Sequence, residues 1–300
     1  IMSFKITIAS GKGGTGKTSV AVNLYEMIAQ KLTDDVVLVD CDVEEPNAIL
    51  FFQNLQKTVT TDIVESVASI DPASCMYCAR CVEWCVFNAI VVIPPVKFAE
   101  VNPSLCHSCG ACTVACEHNA IRDIPETIGR LTTYATEHGK GIIEGRLKIG
   151  SAMQTMMIKR VKQSVIDQHE IILYDAPPGT SCPVVESIAD SNYVILVTEP
   201  TPFGLHDLKL AVDLLRKTGK DFGVIINKAG LGDEKVYHFL KEENIELLGE
   251  LFFDKDYASQ YAKGSLMDNI PEHILSSYNR IFDKVEKKFM VYEGNNYFKW

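Results

Sequence analysis

Near the start of the chain lies Gly11-Lys12-Gly13-Gly14-Thr15-Gly16-Lys17-Thr18, a stretch that fits the pattern G-x-x-x-x-G-K-[ST]. The residues before it, 4–9, are typical of a β-strand, and residues 19–28 after it have apolar side chains at helical spacing. A strand, a glycine-rich loop and a helix in this order are the context of a phosphate-binding loop. An ordinary glycine-rich turn would explain neither the complete pattern nor its context. The stretch therefore predicts an α/β fold built around a site for phosphate groups.

Each part of this loop has a physical role in holding phosphates. The glycines let the backbone wrap closely with its N–H groups pointing inward, and the helix N-terminus adds partial positive charge. Lys17 is predicted to reach the β- and γ-phosphates of ATP, and the Thr18 hydroxyl is predicted to bind Mg²⁺. The predicted nucleotide-binding residues of the loop are Gly11, Lys12, Gly13, Gly14, Thr15, Gly16, Lys17, Thr18 and Ser19.

The second lysine of the loop, Lys12, is not needed by ordinary phosphate-binding loops. The stretch resembles the "deviant Walker A" loop, K-G-G-x-G-K-[ST], of the MinD, ParA and nitrogenase iron-protein group. This resemblance implies that Lys12 reaches across a dimer interface to the partner's nucleotide, so that a nucleotide-dependent homodimer encloses two ATP molecules. The alternative interpretation is a solvated lysine, but a cation at this position has an anionic target close by.

Length, composition and charge limit the classes of protein that this chain can be. With 300 residues and 47% hydrophobic residues, the chain can hold one large domain with a real core and a small second domain. It has no apolar run of about 18 residues without charges, which predicts no membrane-spanning helix and no stable membrane insertion. No signal peptide precedes the first strand, so we expect a cytoplasmic protein. The net charge of −10 disfavours nucleic acid as a partner.

A second predicted strand ends in a carboxylate. The apolar run Val36-Val37-Leu38-Val39-Asp40 is typical of a buried parallel strand, and the carboxyl ends of such strands carry the binding site. The segment that includes Asp42 and Pro46-Asn47 resembles the D-x-D…P-N switch I segment of the same family. That resemblance implies that Asp42 positions or activates the attacking water and that Asp40 supports the Mg²⁺ shell. A capping or turn role remains the alternative for Asp42, and Cys41 is expected to be a buried thiol.

Eight of the ten cysteines form two runs with the same spacing, C-x-x-C-x-x-C-x-x-x-C. The first run is Cys75, Cys78, Cys81 and Cys85, and the second is Cys106, Cys109, Cys112 and Cys116. The runs are offset by 31 residues, and their neighbours repeat too, since Pro72 matches Pro103 and residues 88–90 match residues 119–121. Such spacing is the bacterial ferredoxin signature, and the offset indicates an internal duplication.

In this signature the fourth cysteine of each run ligates the other cluster. One [4Fe–4S] cluster is therefore predicted on Cys75, Cys78, Cys81 and Cys116, and the second on Cys106, Cys109, Cys112 and Cys85. Val86 and Glu117 stand where the signature has proline, which puts the local turn and the cluster potentials in doubt but not the ligands. Zinc bound by paired C-x-x-C motifs is the alternative. His107 and His118 are expected to be surface residues.

The third predicted strand that ends in a carboxylate is Ile171-Ile172-Leu173-Tyr174-Asp175. The following Ala176-Pro177-Pro178-Gly179-Thr180 resembles the D-x-P-P-G switch II segment of the iron protein and of Mrp/Nbp35-type ATPases. This resemblance gives Asp175 the Walker B role, holding Mg²⁺ through water, and lets the Gly179 amide sense the γ-phosphate. Cys182 lies at the start of a predicted helix, and we expect it to be a packed thiol.

The remaining chain alternates between predicted strands and helices, which favours a doubly wound, mostly parallel sheet. Residues 127–150 are predicted to form a hairpin or connector, and residues 153–169 a helix. Asn227 lies where the family has its adenine-contacting asparagine, with a turn asparagine as the alternative. An apolar stripe near the C-terminus predicts core packing; it consists of Ile274, Tyr278, Ile281, Phe282, Val285 and Phe289.

Over nearly its whole length the chain resembles MinD/Mrp-superfamily ATPases that carry an inserted two-[4Fe–4S] ferredoxin domain. This resemblance implies a discontinuous P-loop ATPase domain, residues 1–70 and 126–300, and a small α+β ferredoxin-like domain at residues 71–125. It implies ATP, Mg²⁺ and two [4Fe–4S] clusters as cofactors, and an unknown redox partner protein. Three functions follow: an ATP-gated electron carrier, an iron–sulfur assembly ATPase of the Mrp/Nbp35 type, and MinD-like membrane positioning. The second is disfavoured because no cysteine follows Cys182, and the third because the C-terminal residues are not strongly basic.

Overall fold

A computed structural model describes residues 3–165, 168–265 and 270–297 of the chain. The strands are Phe4–Ala9 (β1), Val36–Asp40 (β2), Gln56–Ile70 (β3), Ile90–Ile93 (β4), Phe98–Val101 (β5), Ile121–Ala135 (β6), Ile142–Leu147 (β7), Ile171–Asp175 (β8), Tyr193–Thr198 (β9), Phe222–Ala229 (β10) and Leu247–Phe252 (β11). The helices are Lys17–Lys31 (α1), Arg80–Trp84 (α2), Ala111–Ala115 (α3), Gln154–Gln163 (α4), Cys182–Ile188 (α5), Pro202–Lys217 (α6), Lys235–Glu242 (α7), Lys255–Ala262 (α8) and Glu272–Tyr297 (α9). Within these ranges, every helix is too short or too polar to cross a lipid bilayer.

Seven strands pair in parallel in the order β11-β10-β9-β1-β8-β2-β7. The predicted mostly parallel α/β sheet is therefore confirmed. The pairing register sets Ile8 beside Asp175, and Asp175 beside Asp40. Because parallel strands end at the same edge of the sheet, the loop after β1 and the two carboxylates meet there.

Alternate residues of the strands pack on opposite faces of this sheet, as a period of two requires. On one face, Ile195 of β9 packs in a cluster with side chains of α1 and α9. On the other face, Val194 and Leu196 pack in a second cluster with side chains of α5, α6 and α7. Both faces of the sheet are thus covered, which explains why its strands are continuous apolar runs. The predicted C-terminal stripe lies entirely in the first cluster.

The chain divides into two compact units. The first consists of Ile1–Val59, Thr132–Gly145 and Ile158–Trp300, and the second of Thr60–Leu131 and Arg146–Met157. The predicted limits of the inserted domain, residues 71 and 125, both fall inside the second unit. That unit contains the antiparallel hairpin of β4 and β5 and the short helices α2 and α3.

Two predictions for the chain between residues 127 and 169 have different outcomes. Residues 127–150, expected to be a hairpin or connector, supply most of β6 and all of β7, which are consecutive in the chain and neighbours in the sheet, so the hairpin is confirmed. The parallel pairing of β7 with β2 was not predicted. The helix predicted over residues 153–169 ends at Gln163, although Met157, Val161 and Val165 are buried as expected.

Candidate functional site

The glycine-rich loop connects β1 to the N-terminus of α1, as predicted. Gly16 caps this helix with a left-handed backbone, φ +93°, and a Cβ added there would lie 2.3 Å from Nδ2 of Asn227. Both the backbone conformation and the close contact therefore require glycine. Lys17 is the first residue of α1 and is only 7% exposed. The neighbouring Thr15 is buried, and its hydroxyl oxygen has no hydrogen-bond partner.

Asp175, at the end of β8, is a buried carboxylate without hydrogen-bond donors. It is 1% exposed, and neither side-chain oxygen accepts a hydrogen bond of acceptable geometry. Burial raises the pKa of Asp175 most, while the nearby Lys17 ammonium and Thr18 hydroxyl lower it only in part. A buried carboxylate in this state is strongly disfavoured unless a cation compensates it. Asp175 thus fits the second coordination shell of a Mg²⁺ ion close to Thr18.

Asp40, at the end of β2, accepts three backbone hydrogen bonds. One carboxylate oxygen accepts the N–H of Asp42 at 3.1 Å, and the other accepts the N–H groups of Asn47 and Ala48 at 2.9 and 3.0 Å. Asp40 therefore holds the loop after β2 in place, and its role toward Mg²⁺ stays a prediction. Burial and the Asp175 carboxylate raise its pKa, against these three hydrogen bonds.

Asp42 lies on the loop that Asp40 holds, and its side chain is partly buried. Burial raises the pKa of Asp42, the Lys17 ammonium lowers it, and the neighbouring Glu45 and Glu44 carboxylates raise it further. Because the Lys17 ammonium lowers the pKa of Asp42, this carboxylate lies within electrostatic range of the phosphate-binding loop. Its role toward water stays a prediction.

The Gly179 amide, predicted to sense the γ-phosphate, donates to the carbonyl of Ser10 at 3.0 Å. Gly179 has φ +101°, and a Cβ added to it would meet nothing within 4 Å. The backbone conformation rather than space therefore explains glycine at this position. The segment after β8 is tied to the residue just before the phosphate-binding loop, so a nucleotide contact by this amide would require the bond to break.

Asn227 holds the phosphate-binding loop directly. Its side-chain Nδ2 donates to the Thr15 carbonyl at 2.8 Å, and its Oδ1 accepts the N–H of Lys228 at 2.9 Å. The same asparagine lines a pocket beside Gly14 and Gly16. The pocket lies where a base attached to bound phosphates could reach, while the predicted contact of Asn227 with adenine stays a prediction.

Sequence reasoning missed the aromatic wall of this pocket. Its aromatic side chains come from the end of β11, from the segment after it, from α8 and from α9; they are Phe252, Phe253, Tyr257, Tyr261 and Tyr278. Aromatic residues following the last strand of the sheet were the available signal. Flat aromatic surfaces with few polar groups suit a nucleobase.

The cysteines of the two runs surround two cavities. One cavity is lined by Cys85, Cys106, Cys109 and Cys112. The other is lined by Cys75, Cys78, Cys81 and Cys116. Each cavity therefore takes three cysteines from one run and the fourth from the other. Among the described residues, no three Cys, His, Asp or Glu side chains are placed to hold a single metal ion.

The two halves around these cavities are related by a pseudo-two-fold repeat. The N–H of Asp71 donates to the Ala120 carbonyl at 2.8 Å, and the N–H of Asn102, its equivalent, donates to the Ala89 carbonyl at 2.7 Å. Six left-handed residues occur at equivalent positions; they are Tyr77, Ala79 and Asn88 in one half and Ser108, Gly110 and Asn119 in the other. The duplication is thus a structural repeat whose halves exchange backbone hydrogen bonds.

Backbone N–H groups point at the sulfur atoms of both runs. The N–H of Ala89 lies 3.3 Å from Sγ of Cys85, and that of Ala120 lies 3.4 Å from Sγ of Cys116. These fourth cysteines are equivalent in the repeat, and an equivalent backbone N–H donates to each sulfur. The N–H of Tyr77 makes a further contact, 3.4 Å from Sγ of Cys75.

Two side chains near the predicted site residues differ from expectation, and a third is as expected. His107, expected at the surface, is partly buried and stacks on Phe87 with ring centroids 3.8 Å apart. Cys182, expected to be packed, is exposed at the start of α5. Cys41 is buried as expected, and burial raises the pKa of its thiol.

A family model, the CobQ/CobB/MinD/ParA nucleotide binding domain, matches residues 6–267. The chain belongs to this CobQ/CobB/MinD/ParA family. An uncharacterized protein of Methanocaldococcus jannaschii is 27% identical over 292 residues, which cover 94% of this chain and 96% of the relative. The structure of the septum site-determining protein MinD of Pyrococcus horikoshii, complexed with Mg-ADP, has a TM-score of 0.58 at 18% identity, covering 95% and 97% of the two chains. That likeness shows a shared fold.

A further similarity covers only part of the chain. A cytosolic Fe–S cluster assembly factor, the Nubp2 homolog of Drosophila willistoni, is 36% identical over 84 residues, which cover 26% of this chain and 32% of that protein.

Lys12 has partners that sequence reasoning missed. Its ammonium lies 2.9 Å from one carboxylate oxygen of Glu199, and the ammonium of Lys228 lies 2.5 Å from the other oxygen. Glu199 follows β9 and Lys228 lies in β10, so the fold brings both to the phosphate-binding loop. A glutamate one residue after a buried strand was the only signal in the sequence.

Proposed function

We propose that this CobQ/CobB/MinD/ParA-family protein is an ATPase that couples the nucleotide state of a homodimer to electron transfer through two [4Fe–4S] clusters. The family match supports nucleotide binding. Lys17 and Thr18 begin α1 below the glycine loop, and the buried Asp175 carboxylate lies close enough to both for them to lower its pKa against the effect of burial. These residues fit a nucleotide whose phosphates carry Mg²⁺.

The observation that carries the redox part of the proposal is the grouping of the eight cysteines. Two cavities each have four thiols around them, with the fourth thiol exchanged between the runs. Four thiols around an open space suit a cluster of several iron and sulfur atoms better than one ion, because each thiolate binds a different iron. The backbone N–H groups at Cys75, Cys85 and Cys116 fit negatively charged thiolates.

The proposal assigns distinct roles to the residues of the nucleotide site. Lys17 neutralises the β- and γ-phosphates, Thr18 and Asp175 hold the Mg²⁺ shell, and Asp42 orients the attacking water. Lys12 reaches the nucleotide of the second subunit and makes ATP a component of the dimer interface. Asp40 fixes the loop that carries Asp42 through three backbone hydrogen bonds, so the position of Asp42 depends on the position of Asp40 at the end of β2.

The order of segments along the chain supports coupling between the two chemistries. The cysteine runs lie in sequence between Asp42 and Asp175, the two carboxylates predicted to respond to the γ-phosphate. When bound, each [4Fe–4S] cluster supplies a one-electron redox centre. The redox partner is a protein that the sequence does not identify.

Anaerobic purification with iron and sulfide analysis, followed by redox titration, tests this proposal. We expect about eight irons and eight sulfides per chain, reversible one-electron steps, and ATP hydrolysis that depends on Mg²⁺. A chain that binds zinc instead, or that hydrolyses no ATP in any oligomeric state, would contradict it. Redox titrations with ADP, with a non-hydrolysable ATP analogue and without nucleotide then show whether the nucleotide state changes the midpoint potentials of the clusters.

A second candidate is an iron–sulfur assembly ATPase, which the partial similarity to a cluster assembly factor favours. Such a protein would pass its clusters to an apo-protein instead of retaining them. Incubation of the loaded protein with an apo-ferredoxin distinguishes the two, because transfer of iron accelerated by ATP supports assembly and retention supports electron transfer. The proposed crossed ligation favours retention. Each cluster would be bound by cysteines of both runs, so its loss would also break a link between the two halves.

A further inference from the structure

The side chain of Glu199 is a nearly buried charge held by two lysines. It is 10% exposed, whereas Lys12 and Lys228 are 31% and 41% exposed. Burial raises the pKa of the Glu199 carboxyl, but its hydrogen bonds to Lys12 and Lys228 lower the pKa by more, so it is ionised. A carboxylate at this depth needs at least one cation, because an unpaired buried charge is strongly destabilising.

The backbone at Lys228 is specialised for this contact. Lys228 has φ +55°, a left-handed conformation that is uncommon for residues other than glycine. The register of β10 against β11 shifts between Asn227 and Ala229, as expected for a β-bulge. Bulges re-aim side chains, and strained residues of this kind cluster at functional sites. Here the bulge brings the Lys228 ammonium to Glu199 and within 3.5 Å of the Gly14 carbonyl.

The second cation beside Glu199 matters because the proposed function requires Lys12 to move away. If Lys12 moves to the nucleotide of a second subunit, it must leave Glu199. With Lys12 as its single partner, the carboxylate would be left buried and unpaired, and the dimer would be penalised by that cost. With Lys228 also in place, the carboxylate stays paired when Lys12 departs.

We propose that Glu199 holds Lys12 in the monomer and that Lys228 is the positioning residue that lets Lys12 leave for the second subunit's nucleotide. This inference rests on the proposed cross-subunit role of Lys12. Glu199 and Lys228 contact neither phosphate nor water in it; they act through Lys12.

Substitutions at Lys228 and Glu199 give opposite expectations. Lys228→Met leaves Glu199 dependent on Lys12, so we expect at least tenfold weaker dimerisation with a non-hydrolysable ATP analogue. Glu199→Gln frees Lys12 and should strengthen the dimer. The double variant Lys228→Met/Glu199→Gln should recover dimerisation at least to the parent level, because no buried charge then needs a partner. Lys228→Arg keeps the charge and should stay within about threefold of the parent, which is under 1 kcal/mol.

Sedimentation velocity at saturating analogue measures the dimer, and a titration with a fluorescent analogue measures nucleotide binding by each variant separately. Lys235→Met is the matched control, since this exposed lysine pairs with Asp233 elsewhere in the same unit. The rescue in the double variant separates positioning from structural damage, because a damaged loop would not recover on a second substitution. Parent-like dimerisation of Lys228→Met, or a double variant as weak as the single one, would overturn the inference.

Lys12→Ala distinguishes failure of this inference from failure of the proposed function. If Lys12→Ala dimerises with ATP as the parent does, the cross-subunit role of Lys12 is wrong and the inference falls with it. If Lys12→Ala abolishes the dimer while Lys228→Met leaves it unchanged, only the role of Lys228 is refuted.

Discussion

Replacing Asp175 by asparagine should make the nucleotide-free protein more stable while it destroys the Mg²⁺ site. Both carboxylate oxygens of Asp175 are buried without a hydrogen-bond donor, beside Asp40 on the neighbouring strand. An amide of the same shape removes the charge that burial penalises. A residue kept at a cost to stability is expected at a functional site.

The magnitude follows from the pKa of this carboxyl. Burial raises the pKa of Asp175 from 3.8 to about 6, and each unit corresponds to about 1.4 kcal/mol, so the ionised carboxylate costs roughly 3 kcal/mol. For an acid whose pKa is raised by folding, the cost is complete above the folded-state pKa and disappears as the pH falls below the unfolded value. We therefore expect Asp175→Asn to gain roughly 3 kcal/mol at pH 8 and about half of that at pH 5.

Chemical denaturation of the nucleotide-free, Mg²⁺-free protein, followed anaerobically by circular dichroism, measures this difference. Asp190→Asn is the matched control, because Asp190 pairs with Lys162 at 2.6 Å and Lys5 at 3.0 Å, which lower its pKa. That variant should lose stability at pH 8, and the loss should shrink as the pH falls. An Asp175→Asn variant no more stable than the parent at pH 8, or equally stabilised at pH 5 and pH 8, would refute the reasoning. Stabilisation of the parent by Mg²⁺-ATP should be absent from Asp175→Asn.

Four further predictions concern the nucleotide and cysteine sites. Lys17→Ala should abolish binding of a fluorescent ATP analogue, because the phosphates lose their main cation, whereas Lys12→Ala should bind it yet show neither ATP-dependent dimerisation in gel filtration nor hydrolysis; a Lys12→Ala dimer would contradict this. Asp42→Asn should bind Mg²⁺-ATP but hydrolyse it slowly and accumulate the ATP-bound dimer, and normal turnover with weakened affinity would show that the roles of the carboxylates are wrong. Cys116→Ser should damage the cluster predicted on the first cysteine run, and Cys85→Ser the cluster predicted on the second, as seen by electron paramagnetic resonance. If each variant instead loses the cluster bound by the other three cysteines of its own run, crossed ligation is excluded. If nucleotide and clusters are coupled by ~1–3 kcal/mol, a non-hydrolysable ATP analogue should shift the midpoint potential by ~45–130 mV for a one-electron step, and reduction should change ATP affinity by the same free energy; identical potentials and affinities would leave partner docking as the step that ATP controls.

The placement of two elements shows where local patterns stop being informative. Residues 142–147 are predicted only as part of a hairpin or connector, yet β7 also pairs in parallel with β2 along Leu38 to Asp40. Likewise, Arg146–Met157 joins the second unit, where the Ala152 N–H donates to the Ser104 carbonyl at 2.8 Å. Neither placement could be read from composition, because both depend on partners distant in the chain.

The sequence by itself determined the parts of this protein whose chemistry lies in short, continuous patterns. The glycine loop, the strands that end at Asp40 and Asp175, and the two cysteine runs all depend on local backbone geometry or on fixed ligand spacing, so their residue types could be recognised without coordinates. The grouping of the cysteines by fours also followed from the repeat, and the two cavities have the same members.

Only the tertiary structure decided which side chains meet at the end of the sheet. The Lys12–Glu199–Lys228 contact joins residues 187 and 216 positions from Lys12, and the parallel register and a bulge in β10 create it. The same register buries Asp175 without a donor while Asp40 receives three backbone N–H groups. Two carboxylates that look equivalent in the sequence thus have different hydrogen-bonding environments, because hydrogen bonding is a property of the packed chain.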